Sequence, residues 1–319
     1  MTSIALIEAA AKRLAGHARR TPLLSSPFLD EIAGRPVFVK AECLQHTGSF
    51  KFRGGWNAVS ALVEAGPLGG VIAYSSGNHA QGVALAAKMH GIPAVIVMPA
   101  DAPAIKIANT RALGAEVVTY DRAREDRDAL GARLAAERGL ALVKPFDMAE
   151  VIAGQGTTGL EIAEQAAEAG VTEAAVLVPC GGGGLTSGIA LALRARAPGM
   201  VVHPVEPEGF DDVARSQAAG ERLKNERLSG SICDAIITPQ AGDLTWPVIR
   251  RLCGPGHAIT EDEALRAMAL AHDRLKLVLE PGGAVALAAA LFRPGADTVI
   301  AVASGGNVDR AMMVRALAA

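Results

Sequence analysis

The stretch Thr47-Gly48-Ser49-Phe50-Lys51-Phe52-Arg53-Gly54 sets one lysine between two phenylalanines, behind a Gly-Ser turn where a loop runs into a helix. Burial disfavours the charged form of an amine, so Lys51 in apolar surroundings is easier to deprotonate. A neutral lysine amine condenses with a carbonyl to give a Schiff base. The same pattern also suits an amphipathic helix whose lysine reaches out to water. Motifs elsewhere in the chain decide between the two.

Ser75-Ser76-Gly77-Asn78-His79-Ala80-Gln81-Gly82 follows a strand-like run and opens a helix. Small polar side chains and free N–H groups at a helix N-terminus attract an anion, and an amino-acid carboxylate fits. A plain Ser/Asn cap is the alternative. Pro179-Cys180-Gly181-Gly182-Gly183-Gly184-Leu185-Thr186 joins a strand to a helix. Consecutive glycines let backbone N–H groups converge on a phosphate. The segment has neither Gly-x-Gly-x-x-Gly nor the Gly-Lys-Ser/Thr of a nucleotide loop. Ala303-Ser304-Gly305-Gly306-Asn307 places a hydroxyl at the end of a C-terminal strand, where it could also cap a helix. In Glu206-Pro207-Glu208-Gly209-Phe210-Asp211-Asp212, carboxylates with carbonyls between them could ligate a hard cation or form a solvated acidic loop.

The elements that must position these residues alternate. Apolar, β-branched runs at 37–40, 71–74, 94–98, 115–119, 174–178, 201–206 and 298–303 predict strands covered on both faces. Helical periodicity marks 81–90, 104–113, 122–138, 150–169, 186–197, 261–276 and 283–291, with Gly91 and Gly114 placed as left-handed caps. Alternating strand and helix predicts an α/β fold with parallel sheets between helical layers. Residues 62–145 hold three such strand–helix units and form a candidate small domain.

The composition excludes several classes. With 319 residues, 50% hydrophobic and a net charge of −2, the chain can bury a large core and shows no basic bias toward nucleic acid or anionic membrane. Aromatics at 3% offer no base-stacking surface. Cys43, Cys180, Cys233 and Cys253 form no Cys-x-x-Cys pair, so reduced thiols are expected. No signal-like segment or bilayer-length apolar run is present in the sequence, and a cytoplasmic location is the expectation.

Taken in order, and with Lys40-Ala41-Glu42 and Gln45 ahead of the lysine, these motifs resemble the threonine/serine dehydratase and serine racemase family over nearly the whole chain. That family belongs to the fold type II, tryptophan-synthase-β-like pyridoxal phosphate enzymes. The resemblance implies two parallel-sheet three-layer domains: a large cofactor-binding domain at 1–61 and 146–319, and a small domain at 62–145. It implies that Lys51, beside Phe50, holds pyridoxal 5′-phosphate as a Schiff base and that Asn78 contacts the ring 3-oxygen. Gly181, Gly182, Gly183, Gly184 and Leu185 would bind the phosphate, and Ser304 the ring nitrogen. Ser75, Ser76, Gly77, Asn78 and His79 would bind the substrate carboxylate, with Ser76 as the acid/base on the face opposite Lys51. A divalent ion (Mg²⁺, Mn²⁺ or Ca²⁺) would sit on Glu206, the carbonyl of Phe210 and Asp212. Arg127 would tolerate a second substrate carboxylate if it reaches the pocket mouth, and Glu280 would lie near the cofactor ring.

The implied activity is dehydration and deamination of L-threonine or L-serine to a 2-oxo acid and ammonia. Alternatives are amino-acid racemisation and dehydration of 3-hydroxyaspartate. A homodimer acting on a small amino acid is expected, with neither nucleic acid nor membrane as partner. Two segments depart from the family pattern: Gly54-Gly55-Trp56 stands where many members have Ala in place of Gly55, and Ser231-Ile232-Cys233-Asp234 differs from the best-known racemases. No regulatory domain is expected after Asn307.

Overall fold

The computed structural model describes residues 2–75, 77–102, 104–121 and 124–319. In chain order the strands are β1 Leu23–Ser25, β2 Val37–Lys40, β3 Gly70–Tyr74, β4 Ala94–Pro99, β5 Glu116–Tyr120, β6 Leu140–Leu142, β7 Ala174–Pro179, β8 Met200–Pro207, β9 His257–Ile259 and β10 Val299–Val302. The α-helices are α1 Ile4–Leu14, α2 Pro27–Ala33, α3 Lys51–Ala65, α4 Asn78–His90, α5 Ala104–Ala112, α6 Arg127–Arg138, α7 Ala149–Glu168, α8 Gly184–Arg196, α9 Asp212–Ala219, α10 Trp246–Leu252, α11 Glu261–Leu275, α12 Pro281–Phe292 and α13 Arg310–Leu317. The expected helix start at Arg122 lies outside the described residues.

The strands form a six-stranded sheet, β1-β2-β10-β7-β8-β9, and a four-stranded sheet, β5-β4-β3-β6. The central strands β3, β4, β7 and β10 are buried on both faces, as the apolar runs predict, whereas the edge strand β5 (the predicted run 115–119) is only partly covered, with Glu116 and Thr119 exposed. In β10, Val299 and Ala301 face a core shared with α11 and α12, while Ile300 and Val302 face one shared with α7 and α8. In β3, Val71 and Ala73 pack toward α3 and α4, and Ile72 packs on the opposite side with Leu134 of α6. This period of two in a strand is what makes three layers. Helix α12, buried over its length from Pro281 to Leu291, runs through the interior. Gly91 ends α4 in the left-handed conformation at φ 68°, and Gly114 follows α5 at φ 94°.

Three strands were not legible as periodic runs: β1, β6 and β9 are three residues each. Strand β1 also corrects the expectation of wholly parallel sheets, because it pairs antiparallel with β2. Its connection to β2 holds only the short α2 and its flanks, too little chain for a parallel crossover of a dozen or more residues.

A buried charged cluster joins β2, the 3₁₀ turn Glu42–Leu44, α3 and α7. Arg53 donates from Nε and Nη2 to the Glu42 carboxylate, both at 2.8 Å, and from Nη1 to Glu161 at 2.7 Å. Lys40 Nζ donates to Glu161 (2.6 Å), to Gln165 (2.8 Å) and to the Thr21 carbonyl (2.7 Å). Lys40 and Glu42 are fully buried and Arg53 is 1% exposed. Burial pushes the Glu42 carboxyl up, yet the Arg53 guanidinium and the other donors more than offset this and hold it below its ordinary value. Removing one member strands its partner as an uncompensated buried charge. Glu42→Gln or Arg53→Met is therefore expected to lower stability by about 3–5 kcal/mol in chemical denaturation.

Candidate active site

Lys51 is the first residue of α3, and the turn before it is tightly held. Thr47 has φ 60° and Gly48 φ 74°, and a Cβ on Gly48 would stand 2.6 Å from Asn307 Oδ1. A second loop pins the turn. Phe50 N–H donates to the Ser304 carbonyl (3.1 Å), Gly306 N–H donates to the Gly48 carbonyl (2.9 Å), and Ser49 bridges Gly305. The Lys51 amine donates to the Pro145 carbonyl at 2.9 Å and lies 5.2 Å from the centre of the Phe50 ring. Lys51 is half-buried as a residue, but its amine end is packed among protein atoms. That burial pushes its pKa down to about 8, with Glu280 opposing the shift.

Asn78 opens α4 and stands between two partners. Its Nδ2 donates to Glu280 Oε1 (2.6 Å), and its Oδ1 accepts from Asn307 Nδ2 (2.7 Å), which also donates to the Thr47 carbonyl (2.7 Å). One chain of amides thus links the lysine turn, the α4 loop, the α12 cap and the C-terminal loop. Glu280 is buried, and burial raises its pKa to about 7 although the Asn78 hydrogen bond opposes this. A Cβ on Gly305 would collide with the Glu280 carboxylate, so that loop needs glycine there. Ser75 Oγ accepts from Gly77 N–H (3.1 Å). The first N–H groups of α4, from Asn78 onward, have no intrahelical acceptor. Ser76 lies outside the described residues. The His79 ring is buried and pairs with the Val143 carbonyl through Nε2 (2.8 Å). A carbonyl only accepts, so Nε2 carries the proton and the unpartnered Nδ1 does not. Burial, then the Lys51 charge, lowers its pKa to about 3 and keeps the ring neutral.

The four glycines follow β7 and lead into α8, whose first residue is Gly184. Gly183 is left-handed at φ 86°; a Cβ on Gly182 would lie 2.3 Å from the Phe146 ring, and one on Gly181 2.9 Å from the Ile236 carbonyl. Thr245 Oγ1 and Gly242 N–H hold the Gly182 carbonyl. Among the described residues, the N–H groups of Gly181 to Leu185 donate to no other backbone carbonyl. A cradle of unpaired donors at a helix N-terminus fits a phosphate. Ser304 is buried beside Gly283, whose carbonyl takes its N–H at 3.3 Å.

The expected metal ligands come together differently from a ring of many side chains. Glu206, at the end of β8, accepts from the N–H groups of Val213 (3.1 Å) and Ala214 (2.9 Å). Asp212, the first residue of α9, accepts from Asn225 Nδ2 (2.7 Å) and Ala241 N–H (3.0 Å). Phe210 is buried between them in sequence, under the Arg227 guanidinium. Burial and the Asp212 charge push Glu206 well above the ordinary carboxylate range, and burial raises Asp212 to about 6. Among the described residues no three His, Cys, Asp or Glu side chains converge on one point. Arg127 starts α6 and lies over the Tyr74 ring at 5.6 Å. The buried ion network and the Asn307 amide relay were not foreseen as parts of the site. Lys40, Glu42 and Asn307 stand within the quoted motifs, but nothing in their spacing announces their partners.

The family model described as "Pyridoxal-phosphate dependent enzyme" matches residues 14–305, and the chain belongs to that family. It is 44% identical to an L-threo-3-hydroxyaspartate ammonia-lyase of Pseudomonas sp, covering 94% of this chain and 93% of the relative. The crystal structure of a T.th. threonine deaminase superposes with a TM-score of 0.91 at 44% identity, covering 96% of this chain and 99% of that one. Maize serine racemase superposes with a TM-score of 0.92 at 38% identity, covering 99% and 97%. The fold is therefore fold type II, and pyridoxal phosphate is the cofactor of the family. Among the described residues no helix is long and apolar enough to cross a membrane.

An amine with a pKa near 8 is mostly protonated below that pH and mostly neutral above it. Reloading of the cofactor-free protein with pyridoxal phosphate, followed by absorbance, should accelerate as pH rises through about 8 and then level off.

Proposed function

We propose that the protein is an ammonia-lyase that eliminates water from β-hydroxy amino acids, with L-threonine, L-serine and 3-hydroxyaspartate as the substrate class. The observation that carries this reading is the buried, easily deprotonated Lys51 amine facing an anion-binding helix start and a glycine cradle. The N–H groups of Gly181 to Leu185 would hold the cofactor phosphate, and Ser304 and Asn78 would hold its ring, at the nitrogen and the 3-oxygen. When bound, pyridoxal phosphate supplies the aldehyde that captures the substrate amine and the ring that draws electrons from Cα. The loop Ser75–His79 takes the α-carboxylate, the histidine through its backbone. Lys51 Nζ removes the Cα proton. The β-hydroxyl takes up the proton that Lys51 Nζ removed from Cα and departs as water, and hydrolysis of the released enamine yields a 2-oxo acid and ammonia. Neutral Ser304, in place of a carboxylate, leaves the ring less electron-withdrawing and so favours prompt loss of the leaving group. The division into 1–61 with 146–319 and 62–145 follows the two sheets, although residue 62 itself lies within α3. Assembly as a cytoplasmic homodimer belongs to the same reading.

A second reading is racemisation, favoured by the 40% identity to the serine racemase of Oryza sativa subsp. indica. It needs Ser76 as the acid/base opposite Lys51. Chiral analysis of unreacted L-serine separates the two, since elimination alone leaves no D-enantiomer. For the main reading, Lys51→Ala should abolish oxo-acid formation from all three substrates while the wild type turns over at least one. Wild-type rates in Lys51→Ala would sink it.

Two carboxylates enclosed together are the donor type a hard divalent cation takes, and the Asp212 charge adds to burial in raising the proton affinity of Glu206. With the Phe210 carbonyl they would hold the ion as a structural element. Mg²⁺, Mn²⁺ or Ca²⁺ should then raise the thermal midpoint, EDTA should reverse the gain, and Asp212→Asn should lose it. An unchanged midpoint would remove the metal from the reading.

A further inference from the structure

Lys106 and Asp234 meet across the molecule. Lys106 lies in the first turn of α5, between β4 and β5 of the four-stranded sheet, and Asp234 lies in the loop between α9 and α10. Lys106 Nζ is 3.1 Å from Asp234 Oδ2. The Asp234 loop packs against the start of α12. A Cβ on Gly282 would touch the Ala235 Cβ at 3.5 Å and the Cys233 carbonyl at 3.7 Å. Gly282 is two residues past Glu280, which bonds Asn78 and feels the charges of both Asp234 and Lys106 as well as that of Lys51. The ion pair therefore lies close enough to Glu280, and through it to Asn78 and Lys51, for its charges to be felt there. Lys106 and Lys51 are both close enough for their charges to lower the pKa of the Glu280 carboxyl. Lys51 is committed to the chemistry, whereas Lys106 already holds a carboxylate, that of Asp234.

The pair is also easily exchanged. Lys106 is 30% exposed and Asp234 64% exposed, and such surface pairs contribute little to stability. We propose that Lys106 determines specificity by binding the side-chain carboxylate of a dicarboxylic amino acid, and that Asp234 is the internal carboxylate this substrate group displaces. The proposal rests on the reading of the Lys51 pocket as an amino-acid site. Asp234 then competes with dicarboxylates and leaves monocarboxylic amino acids unaffected by the exchange.

The test is binding of L-aspartate and L-alanine to the holoenzyme, read from the absorbance of the bound cofactor. Aspartate adds the second carboxylate, and neither ligand has a β-hydroxyl to lose. Lys106→Met should weaken aspartate relative to alanine by about tenfold or more, and Lys106→Arg should restore most of the preference. Asp234→Asn should strengthen aspartate relative to alanine. An aspartate-to-alanine ratio that is the same in the wild type and all three variants overturns the role of Lys106 while leaving the amino-acid site intact. If neither ligand perturbs the wild-type cofactor, the amino-acid reading fails, and the role of Lys106 fails with it.

Discussion

The Arg53–Glu42 pair, with Lys40 and Glu161, is the interaction on which the site depends. It lies two residues past Lys51 on the same helix and ties α3 to a strand, a 3₁₀ turn and α7 at once. Four charges of balanced sign, three of them buried and Glu161 partly so, cost much desolvation, and the cluster persists because each charge is met by several donors or acceptors in good geometry. Its effect is directional. Helix α3 cannot rotate or slide without breaking charge-assisted bonds on its buried side, so its first residue always presents the same side to the cleft. The close approach of Gly54 and Gly154, where a Cβ on Gly154 would meet the backbone of Arg53 and Gly54 and one on Gly54 the Gln155 side chain, lets α3 and α7 come near enough for the cluster to form.

On the opposite side of Lys51 the geometry is held by neutral amides. Asn307 donates to the Thr47 carbonyl and to Asn78, and Asn78 donates to Glu280. Each of the four segments carries one group expected to touch cofactor or substrate, and each reaches its place through a side chain from another segment. Thr47 keeps a positive φ, a conformation costly for a residue with a Cβ, because its carbonyl is held from outside the turn. A lysine gripped by ions behind and by amides in front needs no salt bridge of its own, and its amine gives up its proton more readily than an exposed lysine does.

Buried carboxylates show how local context sets their state. Glu42 is fully buried yet stays low because a guanidinium grips both its oxygens. Glu280 is equally enclosed but meets only an amide, and rises to about 7. Glu206 shares its enclosure with a second carboxylate and also rises well above the ordinary carboxylate range. Burial is common to all three, and the nearest donor decides the outcome.

Composition, strand–helix alternation and the four glycine- and serine-rich motifs determined the fold class, the reactive lysine and the anion-binding loops, because those features are local: two- or four-residue periods and short runs that a few dihedral angles dictate. The strands β1, β6 and β9 escaped, since three residues carry no period, and the antiparallel pairing of β1 follows from the length of its connection. Only the tertiary structure decided that Arg53 faces Glu42 and Glu161, that Asn307 links Thr47 to Asn78, that Lys106 meets Asp234, and that the His79 ring turns away to Val143. Most of these contacts join residues dozens to hundreds of positions apart. Which buried polar group finds which partner depends on how the layers pack, and a linear pattern does not encode that packing.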